Sequence, residues 1–467
     1  MRARWSLAAL LLAATLTLIV LDRPLIRGDG VAYLAWTDTL VLDRDLDFNN
    51  QFERLRPVNT YQIQWNPTTE RWVNIFPFGV AFFQAPFYAV GDALHRAGLL
   101  DINPDYFFQM QGVSYPYSLL LMIGANAAAL AALALAWQVG RQFAPPGWAA
   151  LLVYLLFVST PLVFYSTVEP LNSHNPGALA LGVFVLALVR TSASNSLSAE
   201  SEGVSRSETE VRSPHVGWWI ALGVSAGLAV LVRWQLAAVV VPAWAILALR
   251  RQWRGALISA VAAAITLLPL PLVWNALFGA PFVVPYDQVT GGQFIKPENE
   301  WYKVLDLLLR TSPALLLTLP GFVALWRDGR RELALFAAAA IVGQLVINGA
   351  ALDWNAGYSF GVRRMSELFP VYALLACAGF GWLLRLAAGR RAWMWALRLI
   401  PIIGIVFAWA YLLAFLAYIW MHPASWLGDT SPGGALPFLL EQLRHPDALL
   451  AMYAAHVGPA SWAMPGP

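Results

Sequence analysis

Apolar residues in this chain run in long blocks, with little of the strict alternation of half-buried strands. Blocks near the roughly 20 residues that cross a bilayer fall at about 6–21, 116–137, 147–164, 175–190, 216–232, 235–249, 256–276, 304–325, 332–350, 367–384 and 396–420. They predict an all-α polytopic membrane protein with about eleven transmembrane helices. Every second connection carries the basic residues: Arg2 and Arg4, Arg141, Arg190, Arg250 with Arg251 and Arg254, Arg327 with Arg330 and Arg331, and Arg385 with Arg390 and Arg391. The positive-inside rule then places the N-terminus in the cytoplasm, and an odd number of spans places residues 421–467 outside. The opening "MRARWSLAALLLAATLTLIVLDRP" resembles a signal peptide but lacks a small-x-small cleavage site, so it reads as an uncleaved first span.

The connections are unequal. Residues 22–115 form one outer loop far longer than the usual link between packed helices. Within it, "NIFPFGVAFFQAPFYAVGDALHRAG" (74–98) is apolar but broken by Pro77, Gly79 and Pro86, which predicts helices lying in the interface plane; a further full span is the alternative. Outer loops also fall at 277–303 and 351–366. Inside, residues 191–214 are rich in serine and glutamate without apolar periodicity, the composition of a disordered linker. The chain thus divides into a transmembrane module, 1–420, and a short outer tail, 421–467.

Composition agrees with the pattern. Hydrophobic residues make up 59% and charged residues 12%, against about 25% charged in a soluble domain. Mean hydropathy is +0.58. The net charge of +3 gives no reason to expect nucleic acid. The one cysteine, Cys377, lies in an apolar block, so neither an intrachain disulfide nor a cysteine metal cluster can form.

Candidate chemistry gathers on the outer side. In "LIRGDGVAYLAW" (25–36), Asp29 stands between Gly28 and Gly30 just before a helical pattern that includes Tyr33. It reads either as a helix N-cap or as a general base whose carboxylate is partly desolvated at the membrane boundary. "DRDLDFNNQFE" (43–53) reads as a solvated turn-rich stretch or as a site for a hard cation. "STVEPLNSHNPGALALG" (166–182) crowds Glu169, Asn172, His174 and Asn175 at the outer start of the fourth span. Capping explains part of that cluster, and a polar site at membrane depth explains it as well. Arg233, Arg363 and Arg364 lie on the outer side, against the positive-inside bias. Guanidinium forks bind phosphate; snorkelling of Arg233 and pairing of Arg363 or Arg364 with Glu367 are the structural alternatives. The chain has only two lysines, Lys296 and Lys303, both in the 277–303 loop.

The arrangement resembles bacterial membrane glycosyltransferases of the GT-C superfamily, in the branch of the protein O-mannosyltransferases and aminoarabinose transferases. Four features carry the resemblance. The long loop after the first span opens on an acidic motif, "GDGVAY". It continues into a broken interfacial helix, "FPFGVAFFQAPFY". An acid stands before the fourth span in "VEPLNSHNPGALAL", and "NAGYSFGVRR" is similar to a late outer motif of that family. The likeness covers most of the chain to about residue 420.

The resemblance implies an inverting transfer of a sugar from a polyprenyl-phosphate-linked donor to an acceptor hydroxyl of an envelope lipid, glycan or protein. The place implied is the outer face of the bacterial cytoplasmic membrane. Carried over, Asp29 would be the base and Glu169 the second acid. Arg363 or Arg364 would hold the leaving phosphate, and Tyr33, Asn172 and His174 would line the substrate site. Relatives often carry a basic residue just before the proline of the interfacial helix; here that place is Phe76, with Asn74 two before. Arg71, Arg233 or Lys296 would then supply the missing phosphate contact. The sequence requires no cofactor, and the first-loop acids leave room for a divalent cation without demanding one. A transporter or flippase for a lipid-linked or anionic substrate is the alternative. It would show paired repeats and polar groups near mid-membrane, and this sequence shows neither.

Overall fold

The computed structural model describes residues 2–22, 26, 28–55, 62–99, 116–193, 215–296, 298–354 and 360–421. Most of the linker expected at 191–214, the tail beyond 421 and residues 355–359 of the "NAGYSFGVRR" motif lie outside them. Helix α1 (Arg2–Leu21) is followed by α2 (Asp29–Asp38), a π-helical turn at Thr39–Asp43 and α3 (Asn49–Leu55). A hairpin of β1 (Ile63–Asn66) and β2 (Arg71–Asn74) leads into α4 (Gly79–Arg96). Then come α5 (Pro116–Gly140), α6 (Pro146–Ser159), α7 (Pro161–Thr167), α8 (His174–Ala193), α9 (Val216–Val232) and α10 (Ala237–Leu249). The chain continues through α11 (Trp253–Leu267), α12 (Pro269–Phe278), α13 (Asp287–Thr290), α14 (Trp301–Thr311) and α15 (Leu319–Arg327). It closes with α16 (Arg331–Ala350), α17 (Phe369–Leu386) and α18 (Arg391–Met421).

All of the apolar blocks are helical, for a physical reason: a chain in hydrocarbon must satisfy its backbone internally, and a helix does so within one segment. Among the described residues, seven helices are long and apolar enough to cross a membrane, or nine if each sharply bent pair is one span. The pairs are α6 with α7, bent by 74°, and α14 with the Pro313–Arg327 segment, bent by 101°. The two remaining blocks, Val216–Val232 and Trp234–Leu249, are shorter apolar helices. The protein is therefore an α-helical, multi-pass membrane protein.

The first loop is more ordered than a plain interfacial helix. Its hairpin pairs Ile63 with Asn74 and Asn66 with Arg71 in antiparallel register. The turn is set by Asn66, whose Oδ1 accepts the Thr68 N–H at 2.8 Å. The hairpin docks on the bundle where the Thr69 hydroxyl donates to the Leu277 carbonyl at 2.7 Å. Helix α4 carries Pro86 internally and is not among the helices apolar enough to span. Its first residue, Gly79, lies so close to the end of α9 that a Cβ would stand 2.3 Å from the Leu231 carbonyl carbon.

Packing centres on α17, the most enclosed of the candidate spans. It crosses α15 where Gly321 and Gly379 meet: a Cβ on Gly321 would come within 2.1 Å of the Leu375 oxygen. Small residues let helices approach closely where lipid offers no hydrophobic drive between them. Gly321→Val is expected to cost about 1–3 kcal/mol through overpacking, read as a lower melting temperature in detergent. Gly147→Ala, where a Cβ meets nothing within 4 Å, is the control expected to melt as wild type.

Candidate functional site

The polar residues singled out in the sequence converge where helices are interrupted at one end of the bundle. Gly28, at a positive φ of 51°, turns the chain into α2 and makes Asp29 its first residue. Gly30 needs no such freedom: it is helical, and a Cβ there would meet Leu171 at an ordinary 3.5 Å. Extended Thr160 before Pro161 separates α6 from α7, and the turn after α7 carries Glu169, Asn172 and Ser173 to the start of α8. Arg233 is extended (φ −152°, ψ 113°) between α9 and a short 3₁₀ turn. Arg363 and Arg364 open a 3₁₀ segment, Arg363–Leu368, that leads into α17.

The N-cap position expected for Asp29 is taken by Gly28, and Asp29 is the first helical residue. Its Oδ2 pairs with Arg363 Nη1 at 3.0 Å, both side chains remaining about one-seventh exposed (14% and 16%). The N-terminal position still favours a carboxylate through the helix dipole. Tyr165 lies beside the Arg363 guanidinium and within the field of Glu169 and Asp29. Tyr33, one turn after Asp29, shares a hydrogen bond with Ser173 and lies near Arg233. Burial pushes the Tyr33 hydroxyl up to about 12, with Arg233 opposing and Asp29 reinforcing the shift. Burial raises Tyr286 as well, helped by Tyr33 and Asp29. Both phenols therefore remain protonated hydrogen-bonding groups near neutral pH.

Behind this pair lies a hub around the fully buried Glu367 and His174. Glu367 Oε1 stands 2.9 Å from Arg233 Nη1 and 2.8 Å from His174 Nδ1. Arg233 Nη1 also reaches Ser173 Oγ at 3.3 Å, and Ser366 Oγ lies 3.0 Å from His174 Nδ1. Sequence reasoning had Glu367 as a partner of Arg363 or Arg364. The 3₁₀ geometry explains why Arg363 goes elsewhere: with about three residues per turn, positions four apart no longer share a face. Arg364 instead pairs with Asp353 and lies 6.0 Å from the Phe294 ring centroid.

The remaining candidates divide. Asn172 is buried; its Oδ1 accepts the Ser173 N–H at 2.9 Å, and its Nδ2 has no partner among the described residues. His174 is wholly buried and meets the site through Arg233 and Glu367. Arg71 is exposed at the turn end of the hairpin, opposite Asn66. Lys296 is tied by its backbone N–H to the Ala350 carbonyl at 2.8 Å. At Phe76 the ring packs edge-on against Tyr33 and Tyr286, both at 5.5 Å, while Asn74 donates to the Ala32 carbonyl at 2.8 Å. An aromatic wall thus occupies the place where the resemblance had led one to look for a cation.

The first-loop acids are held by amides. Gln51 Nε2 donates to Asp38 Oδ2 at 2.9 Å and to Asp43 Oδ2 at 2.6 Å, and Asn50 Nδ2 donates to Asp43 at 2.8 Å. Tyr88 donates to Asp38 Oδ1 at 2.6 Å. Among the described residues no three histidine, cysteine or acidic side chains group closely enough to hold a metal ion.

No family model and no curated protein matches this chain. Solved structures do show similarity. ArnT from Cupriavidus metallidurans bound to undecaprenyl phosphate aligns with a TM-score of 0.49 at 13% identity, over 97% of this chain and 76% of that one. The archaeal oligosaccharyltransferase AglB from Archaeoglobus fulgidus, in complex with an inhibitory peptide and a dolichol-phosphate, aligns with a TM-score of 0.48 at 11% identity. That alignment covers 92% of this chain and 60% of the archaeal protein, so the chain spans less than two thirds of it.

The hub makes a direct expectation. Glu367→Ala leaves the Arg233 charge buried without its carboxylate, a loss of about 3–5 kcal/mol that should appear as a marked fall in melting temperature. Adding Arg233→Gln should recover part of that loss; a double variant whose losses simply add would show that the two groups are not coupled.

Proposed function

We propose that the protein is an inverting membrane glycosyltransferase. It would move a sugar from a polyprenyl-phosphate-linked donor to an acceptor hydroxyl at the outer face of the bacterial cytoplasmic membrane. The observation that carries this reading is the contact between Asp29 and Arg363 at a ring of helix ends. Single displacement at the anomeric carbon needs a base on the acceptor side and a cation on the leaving phosphate. Asp29 accepts the acceptor's proton as the new C–O bond forms, and the phosphate departs with the electrons of the broken bond. Arg363 takes the developing charge on the phosphate oxygens, with Arg233 behind it; preoriented guanidiniums do so with little reorganisation. Glu169 and Tyr33 orient the reacting hydroxyls, and the unpaired Nδ2 of Asn172 adds a donor. His174 positions Arg233 without touching substrate. Arg364 and Arg71 are less suited to the phosphate: the first is engaged by Asp353, and the second points to solvent.

The contact also sets an order of events. Asp29 and the donor phosphate compete for one guanidinium, so donor binding pulls Arg363 from Asp29 and leaves the carboxylate free to accept a proton. Asp29→Asn is expected to lower transfer by about 10²–10⁴-fold, the range of a lost general base, while polyprenyl phosphate binds at least as tightly as to wild type. Near-normal turnover in a transfer assay would remove Asp29 as the base. Arg363→Ala should weaken polyprenyl phosphate binding; unchanged affinity places the phosphate elsewhere.

A further inference from the structure

The end of the bundle opposite the candidate site holds a second polar feature that the proposed reaction does not use. Helix α17 has 18 residues, a rise of about 27 Å, close to the hydrocarbon thickness of a bilayer. Arg363 and Glu367 precede one end of it and Arg385 sits at the other. There the chain leaves α5 through Arg141 and enters α6 at Pro146. Between these ends lies an open cavity of about 470 Å³, lined by Arg141, Gln142 and Arg385, by residues 143–145, and by apolar Leu384 and Ala388.

Three properties define what fits. First, the charge is positive and prearranged. Arg141 stacks 5.0 Å from the Trp137 ring centroid, and on the same side Arg330 lies 4.9 Å from the ring of Phe143, itself a lining residue. Arg330 Nη1 is buried without a partner among the described residues. Second, the acid at hand is weakly bound. Asp328 pairs with Arg385 at 2.7 Å, but both side chains are about half exposed (41% and 53%), and such pairs contribute little. A phosphate can displace it. Third, the depth is that of lipid headgroups. Trp382, partly exposed near the end of α17, lies under Arg327 at 5.4 Å, and tryptophan marks the interface. Leu384, within the last turn of α17, adds an apolar side to the lining.

We infer that this cavity is a binding site for the headgroup of an anionic phospholipid, held by Arg141 and Arg385. The arginines would face the phosphate and Leu384, inside the span, the start of the acyl chains. Basic pockets between transmembrane helices recognise such headgroups. The inference is independent of the proposed reaction, whose residues lie at the other end of α17.

The test uses the full chain in nanodiscs of phosphatidylcholine alone or with phosphatidylglycerol, with retained lipid counted by native mass spectrometry. Wild type should retain phosphatidylglycerol in preference to phosphatidylcholine. Arg141→Gln and Arg385→Gln should each reduce that preference about fivefold, the effect of one basic residue at an anionic surface. Asp328→Asn, which frees Arg385, should raise it. Arg254→Gln removes an exposed arginine at the start of α11, outside the cavity, and should leave it unchanged. Arg385→Lys keeps the charge and serves if the glutamine variant elutes as aggregate; it should retain most of the preference. Equal retention by wild type and both glutamine variants overturns the inference. So does an equal loss in Arg254→Gln, which would mean diffuse surface charge. Displacement of the lipid by millimolar inorganic phosphate would mean a free-anion site, and overturns it as well.

Discussion

The buried carboxylate of Glu367 holds the site end of the bundle together. It joins the start of α17, the start of α8 and the end of α9 through one oxygen atom, shared between His174 and Arg233. Each of those places is an interruption of helix, where backbone groups lose their regular partners. In a membrane protein such breaks are tolerated only where protein or water resatisfies them. Here the Ser366 hydroxyl donates to the Arg363 carbonyl at 2.6 Å, and the hub fixes the direction in which Arg233 presents its guanidinium. A carboxylate that is fully buried and doubly paired contributes little net stability, but removing one member is costly. Its value here lies in specifying one arrangement of three helix ends.

From that arrangement the chemistry follows. Asp29 and Arg363 come from segments more than three hundred residues apart, yet they touch. Both are only partly exposed, so solvent and salt screen their attraction less than at an open surface. In the proposed reaction, opposite charges in contact make a quiet site, since neither the base nor the cation is available alone. A substrate that carries its own anion opens such a site by offering the arginine a second partner. Tyr33 and Tyr286, kept as neutral phenols, and Tyr165 beside Arg363 lie around the pair.

The helices were legible because length and continuity of apolar residues leave a membrane chain one economical backbone solution. The interruptions were less so. Thr160 and Ser312 lie inside apolar blocks, and only the following prolines hinted at the bends of α6–α7 and α14–α15. The hairpin at 63–74 was missed because its strands are four residues each, too short for a period of two to stand out. Asp29, Arg233 and Arg363 were readable as outer polar residues, while their partners were not. The Arg363–Glu367 spacing suggests pairing on an α-helix, and the local 3₁₀ turn redirects it. Ser173 and Tyr165 carried no signal at all, being ordinary residues beside a more conspicuous Glu169 and His174.

The enclosure of α17 has one further consequence. Its span is 83% buried, whereas the α11–α12 span at the periphery is only 17% buried. Membranes differ in thickness, and helices accommodate hydrophobic mismatch by tilting or by thinning the lipid around them. A helix surrounded by protein has little lipid against it to respond to, so that adjustment falls on peripheral spans such as α11–α12. The distance from Arg363 at one face to Arg385 at the other is thereby set by the protein. The site keeps its geometry while the outer helices absorb differences between membranes.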